Sequence, residues 1–277
     1  MKNTVNWNRV VCWLVLIFLA FVCLAPFYLT IVNSFKNRIE ITKDPLGPPD
    51  SWSPDNYIKA WKATKLGTAL FNSFAVSGLS VVFIVITSSP LAYVLSKSGQ
   101  NKLISVLSGY LLVCSTIPLQ LFIIPLFFIF KKIGLTDNLA ALGLIYCVIF
   151  TPFASFLLRT YFKEIDPAIH EAAAIDGAGT LQILTKILIP LISPGLLTVA
   201  IIIFLWTWND FLMAVTFLRD PSKLTVGIRF FAFQGRFSTN VGRQMAFAVM
   251  IMAPILVFFI VFQRRFIDGM TAGGVKG

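Results

Sequence analysis

Charged residues are scarce in this chain. Asp, Glu, Lys and Arg make up 13% of its 277 residues, whereas a soluble domain has about 25%. Hydrophobic residues make up 57%, and the mean hydropathy is +0.83. This composition excludes an ordinary soluble domain and indicates a membrane protein.

Residues that bind metals or form disulfides are also few. His170 is the single histidine, which argues against a histidine-based metal site or proton relay. The cysteines lie in apolar runs without CxxC or Cys/His spacing, and they are Cys12, Cys23, Cys114 and Cys147. We interpret them as small hydrophobic side chains and expect no metal site.

Motifs for nucleotide binding and ion coupling are missing as well. The sequence has no GxxxxGK[ST] phosphate loop, so we expect this chain to bind no ATP by that route. Asp210 is the one acidic residue within the long apolar segments, whereas ion-coupled carriers commonly keep paired charges there. No nucleophile, base and orienting group converge, so we expect a non-catalytic protein without a bound cofactor.

The apolar residues form six runs, each close to or above the ~20 residues that a helix needs to cross a bilayer. We predict an all-α, polytopic membrane protein with a single domain over 1–277. The first run lacks a small-residue cleavage pattern, so we interpret it as a retained helix. The predicted spans are about 10–33, 67–95, 104–130, 138–158, 191–217 and 244–263.

Positive charge does not orient the chain. Six spans place both termini on one side, which carries 10 Lys and Arg, and the opposite side carries 13. This difference is too small to identify the cytoplasmic side. The net charge of +11 is spread over all loops, so we expect contacts with lipid headgroups and none with nucleic acid.

The segment 159–190, between the fourth and fifth runs, has helix signals. Asp166 can cap a helix, Pro167 suits its first position, and Gly177 suits a left-handed stop, which predicts a helix of about ten residues. Four residues share one face at helical spacing: Ile169, Ala172, Ala173 and Asp176. Their mostly small side chains would allow another backbone or a groove wall to approach closely.

A second helix follows the glycines. Thr180 can cap it, and Pro190 would stop or kink it. Its predicted apolar stripe consists of Leu181, Leu184, Ile187 and Leu188. The segment therefore predicts two short helices outside the bilayer, with a turn between them.

These residues resemble the EAA loop of permease subunits of binding-protein-dependent ABC importers. The matching positions are Glu171-Ala172-Ala173, Asp176-Gly177-Ala178 and Ile187-x-Ile189-Pro190, with Ile189 where leucine is usual. Further segments, including "NSFK", "GLTDN" and "WTWNDF", are similar to the carbohydrate-uptake branch, above all to the second permease of maltose-type importers.

The resemblance implies a type I importer permease in the inner cell membrane. In that family the EAA loop is cytoplasmic and forms a coupling helix in a cleft of the ATPase, so both termini would be cytoplasmic and loop 34–66 would lie outside. The implied partners are a second permease, forming a heterodimer, two ATPase subunits that bind ATP and Mg, and an extracytoplasmic sugar-binding protein. This chain would form half of the pathway of an ATP-driven sugar importer, with oligosaccharide as the expected cargo.

The resemblance also assigns the coupling residues: Glu171, Ala172, Ala173, Asp176, Gly177, Ala178, Ile187 and Pro190. Two simpler interpretations remain open. Glu171 can be a solvated helix charge, and the small residues can be a packing face within this chain.

A second group of residues is a candidate for the sugar pathway: Gln120, Trp206, Trp208, Asn209 and Asp210. Aromatic rings and amides suit sugars, but the same residues can anchor the chain at the membrane surface or contact the other permease. The cargo is not readable from the sequence. A glycerol-phosphate importer of the same family and an ATP-independent secondary carrier remain the alternatives.

Overall fold

The computed structural model describes residues 7–97, 101–236 and 240–272, except for the side chains of residues 7, 8, 236 and 265–272. Every regular element in the described part of the chain is a helix. The predicted all-α class is confirmed. The α-helices are α1 Trp7–Ser34, α2 Arg38–Lys43, α3 Asp55–Thr64, α4 Leu66–Ser96, α5 Lys102–Thr116, α6 Gln120–Lys132, α7 Leu139–Glu164, α8 Pro167–Ile175, α9 Thr180–Gln182, α10 Ile189–Leu191, α11 Ser193–Asn209, α12 Leu212–Phe217, α13 Val226–Arg236 and α14 Val241–Ala272.

Four helices are long and apolar enough to cross a membrane unbroken, namely α1, α4, α7 and α14. Two bent pairs, Lys102–Thr116 with Gln120–Lys132 and Thr180–Leu191 with Ser193–Asn209, raise the number of candidate spans to six if each pair counts as one. In the third predicted span, α5 and α6 meet at an angle of 96°. The break follows from Pro118, whose ring pushes the preceding Ile117 into extended backbone.

The fifth predicted span, 191–217, is also interrupted. Helix α11 ends at Asn209, and Asp210 has extended backbone angles before α12 begins. Helix α7 runs on to Glu164, past the predicted end of the fourth span near residue 158. The last turns of α7 therefore belong to the segment that the sequence assigned to a loop.

The described residues form two compact units. The first unit contains those within 1–67 and 229–254. In it, the segment after α1 is folded around Lys36, whose side chain is buried and whose Nζ donates to the Asp44 carbonyl at 2.7 Å. The Asn56 amide donates to the carbonyls of Ser34 and Lys36, both at 2.9 Å. These bonds hold the start of the predicted outer loop in one conformation.

The second unit contains the described residues within 68–228 and 255–277. Its interior has two groups of buried side chains, and α7 contributes to both. The first group, here called the loop cluster, continues from the long helices into segment 165–192. Its buried members are Ile84, Ala92, Tyr93, Cys147, Ala154, Leu158, Tyr161, Phe162, Ala173, Ile183, Leu184, Leu188, Ile192, Val199 and Ile203.

A glycine sets the distance between α7 and α11. A Cβ atom at Gly195 would lie 2.6 Å from the ring of Tyr161, far inside van der Waals contact. Tyr161 is itself buried in the loop cluster, so its ring has little room to move. The start of α11 can therefore lie against α7 only without a side chain at position 195.

We expect Gly195→Ala to destabilise the protein by about 1–3 kcal/mol, because the added methyl group overpacks a filled site. Thermal unfolding of the detergent-purified protein should show a lower Tm. Gly109→Ala is the matched control, since a Cβ there meets nothing within 4 Å. Equal Tm values for the two variants would contradict this packing constraint.

Candidate functional site

The first helix of segment 165–192 forms as the sequence predicts. The Asp166 carboxylate accepts from the Ala168 amide at 2.9 Å, and Pro167 opens α8. At the other end, Gly177 has a φ of +83° in the left-handed region. The amides of Gly177 and Ala178 donate to the carbonyls of Ala174 and Ala173, which closes a Schellman turn.

The second helical stretch differs from the prediction in its cap and in its winding. Gly179, not Thr180, is the N-cap, and its amide donates to Gln182 Oε1 at 3.2 Å. Residues Ile183–Leu188 then form a π-helix. The expected stripe is wrong at Leu181, whose side chain is 72% exposed, because the wider π winding turns Ile183 inward instead.

One face of α8 is held against the long helices. Ala173 is buried in the loop cluster, and Ile165 and Ala178 pack beside it. His170 Nε2 lies 2.8 Å from the hydroxyl of Tyr93 on α4. The small side chain of Ala173 allows α8 to approach the cluster closely. Together these contacts hold α8 against the long helices of the second unit.

Of the four residues predicted to share one face, Ala173 is buried within this chain. Ile169, Ala172 and Asp176 are exposed, because the buried side of α8 is centred between His170 and Ala173. The helix thus has an inner side that packs on the loop cluster and an outer side that is exposed. We give the name outer face to six exposed residues of α8 and the stretch that follows it: Ile169, Glu171, Ala172, Ile175, Asp176 and Leu181.

The outer face combines apolar side chains with carboxylates. Ile175 is 87% exposed and Leu181 is 72% exposed. Glu171 and Asp176 supply negative charge on the same short segment. A face with apolar centres and charged neighbours has the composition of a protein docking surface.

The end of the segment leads directly into a long helix. Ile187 is half-buried against the loop cluster, and Pro190 is exposed within α10. The stretch Thr180–Leu191 meets Ser193–Asn209 at 76°, with Ile192 between them. Ile192 is buried in the loop cluster, so one enclosed residue joins the segment to α11.

Asp210 has a structural role that sequence reasoning did not identify. Its Oδ2 accepts from Tyr146 Oη at 2.7 Å and from the amides of Met213 and Ala214 at 3.0 and 3.2 Å. The carboxylate thereby satisfies the start of α12 and ties it to α7. The partner Tyr146 is 64 positions away in sequence, and no sequence signal marks it.

The other predicted pathway residues are not gathered into one pocket by any described contact. Trp208 is buried beside Phe74, and the Asn209 side chain donates to the Leu205 carbonyl at 2.8 Å. Trp206 and Gln120 keep exposed surface, and Trp206 packs at 4.6 Å from Phe153 by ring centroids. Of the two tryptophans predicted for the pathway, Trp206 is exposed and Trp208 is buried.

Solved structures define the class of fold. A chain from the crystal structure of a bacterial ABC transporter involved in the import of the acidic polysaccharide alginate matches with a TM-score of 0.79 at 24% identity. The match covers 96% of this chain and 99% of that one. The described helices therefore have the arrangement of an ABC importer permease, which confirms the predicted fold.

The chain belongs to the family described as binding-protein-dependent transport system inner membrane component, whose model matches residues 88–271. The permease protein NgcG of a diacetylchitobiose uptake system in Streptomyces coelicolor is 32% identical, over 93% of this chain and 86% of that protein. The permease protein SmoH of a sulfoquinovosyl glycerol transport system in Agrobacterium fabrum is also 32% identical, over 92% and 89%. The resemblance drawn from the loop motif is confirmed at the level of the family.

We expect Asp210→Ala to lower the stability of the protein by about 1–3 kcal/mol, since it leaves the buried Tyr146 hydroxyl and two amides without their acceptor. The measurement is the Tm in detergent. Asn209→Ala is the adjacent control, because that side chain is exposed and bonds only locally to its own helix turn. A Tm loss no greater in Asp210→Ala than in the control would remove the structural role of the carboxylate.

Proposed function

We propose that this chain is one of two permease subunits of an ATP-driven sugar importer and forms half of its translocation pathway. A single observation carries the proposal: the segment 165–192 presents an uncovered outer face while its inner face is fixed in the loop cluster. A partner can bind the outer face of such a segment, and a movement of that partner can then be transmitted to the long helices. The partner is an ATPase subunit, and two of these bind the ATP and Mg.

The proposed cargo is a neutral oligosaccharide. NgcG is named for diacetylchitobiose uptake, and the family is described as part of a binding-protein-dependent transport system. SmoH is named for an anionic sugar derivative. The predicted spans of this chain contain no Lys or Arg to pair with such a group, which favours a neutral sugar over glycerol phosphate.

Docking on an ATPase fixes the orientation of the chain. The outer face must be cytoplasmic, because cellular ATP is hydrolysed there, and both termini lie on the same side. The segment 34–66, with helices α2 and α3, then faces the extracytoplasmic sugar-binding protein. The proposed coupling residues are those of the loop motif, of which Glu171, Ala172 and Asp176 lie on the outer face and Ala173 lies in the loop cluster.

In the proposed mechanism, the loop and the long helices move as rigid bodies and transmit the movement of the ATPase subunits to the membrane. Closure of the two ATPase subunits around ATP draws the docked loops of both permeases together. Because Ala173, Ile183 and Leu188 are buried in the loop cluster, the loop pushes on the long helices when it is pressed towards them. The bundle changes between inward-facing and outward-facing states, and the sugar passes from the binding protein into the cell.

The outer face provides the direct test. We expect the double variant Ile175→Ser, Leu181→Ser to weaken ATPase binding on the order of tenfold or more, because two apolar side chains no longer fill the partner's cleft. Co-purification of the ATPase with the two permeases and uptake of labelled oligosaccharide in proteoliposomes are the measurements. Ile39→Ser is the control, since Ile39 is equally exposed on α2.

Loss of ATPase binding in the double variant, with normal binding in Ile39→Ser, supports the docking role. Normal assembly and uptake in the double variant would contradict the proposal that this face contacts the ATPase. Uptake that needs no ATP in the unmodified complex would contradict the importer itself and would favour a secondary carrier.

The turn between the two helices is the second test. Gly177→Val places a β-branched residue at positive φ, a strain of roughly 1–2 kcal/mol or more that reopens the Schellman turn. We expect several-fold less sugar transported per ATP hydrolysed. Gly179→Val is the control, because Gly179 has a φ of −70° and open space around its Cβ position.

Both quantities are measured on the same proteoliposomes, so a change in protein amount cancels from the ratio. An unchanged ratio in Gly177→Val would show that the turn has no part in coupling.

A further inference from the structure

Tyr93 connects α8 to α4 by a hydrogen bond between side chains. It lies in the last turns of α4, and its side chain is buried. Its hydroxyl oxygen is 2.8 Å from His170 Nε2, across 77 positions of sequence. The family resemblance assigned no role to either residue, and both lie outside the Glu-Ala-Ala and Gly motif positions.

The ring of Tyr93 is held in place by its neighbours. Phe162 of α7 packs edge-on at a centroid distance of 5.8 Å, and Lys97 Nζ lies 4.4 Å from the ring centroid. Aromatic and cation–π contacts of this kind restrict the ring to one orientation. The orientation of the hydroxyl towards His170 is therefore fixed by contacts from the end of α4 and from α7.

Two contacts hold α8 against the neighbouring helices, the packing of Ala173 and the hydrogen bond of His170, and they resist different movements. The methyl group of Ala173 packs against the loop cluster, and such packing resists compression but allows sliding and separation. A hydrogen bond is directional and loses strength with small changes in distance or angle. The Tyr93–His170 bond thus opposes the sideways and outward displacements that Ala173 alone would permit.

We propose that Tyr93 is a positioning residue for coupling, which through its bond to His170 makes α4 follow the movements of α8. The inference rests on the proposed function, because it needs an ATPase that moves the loop. It adds a second route into the membrane helices, beside the covalent joint at Ile192. The bond carries the force to α4, whereas the chain itself carries it to α11.

Tyr93→Phe tests the proposal, since it removes only the hydroxyl and keeps the ring between Phe162 and Lys97. The reconstituted importer is assayed for ATP hydrolysis and labelled-oligosaccharide uptake on the same sample. We expect the sugar transported per ATP hydrolysed to fall about two- to tenfold, the factor that corresponds to one lost hydrogen bond. The yield of the assembled complex should stay that of the unmodified protein.

A double-mutant cycle separates a shared bond from two independent effects. If Tyr93 and His170 act through one bond, Tyr93→Phe combined with His170→Ala should lower the ratio no further than the more severe single variant. His170→Gln can place an amide near the Nε2 position, and we expect partial recovery from it. Tyr110→Phe is the control, because it removes the hydroxyl of an exposed tyrosine on α5.

Three results would overturn the inference. The first is an unchanged transport ratio in Tyr93→Phe, and the second is additive losses in the double variant. The third is a parallel fall of assembly, hydrolysis and uptake, which would make the tyrosine merely a folding residue. In each case the unmodified complex still shows ATP-driven uptake, so failure of the inference is distinct from failure of the proposed function.

Discussion

The burial of Ala173, Ile183 and Leu188 among the long helices is the constraint on which the other features depend. Without it, segment 165–192 would be a flexible connection, and a force applied to its outer face would be lost. Gly195 allows α11 to lie against Tyr161 and so helps to form the buried site that receives these residues. One continuous apolar core therefore joins a surface loop to the membrane helices, and rigidity follows from its close packing.

Local signals in the sequence predicted local structure well. Asp166, Pro167 and Gly177 defined α8 because caps and positive-φ turns depend on neighbouring residues. The six apolar runs predicted the helical class because the thickness of the bilayer fixes the length that a spanning helix needs. The loop motif led to the correct family, as the match over residues 88–271 confirms.

Features that depend on distant residues were not predictable in this way. The π-helix at Ile183–Leu188 is set by the core that it enters, so a stripe drawn at α-helical spacing placed Leu181 on the wrong side. The bonds of Asp210 to Tyr146 and of His170 to Tyr93 join segments more than 60 positions apart. Periodicity predicts which side of a helix is buried, but it does not identify the partner on the other side.

The central claim is that the outer face of segment 165–192 docks on a cytoplasmic ATPase. A photoreactive amino acid at position 175, in the complete importer in sealed membranes, tests this most directly. We predict light-induced crosslinks to the ATPase subunit, with their yield changing when ATP is added. Crosslinks to the extracytoplasmic binding protein, or labelling of position 175 by a membrane-impermeant reagent from outside, would contradict the orientation and the coupling role together.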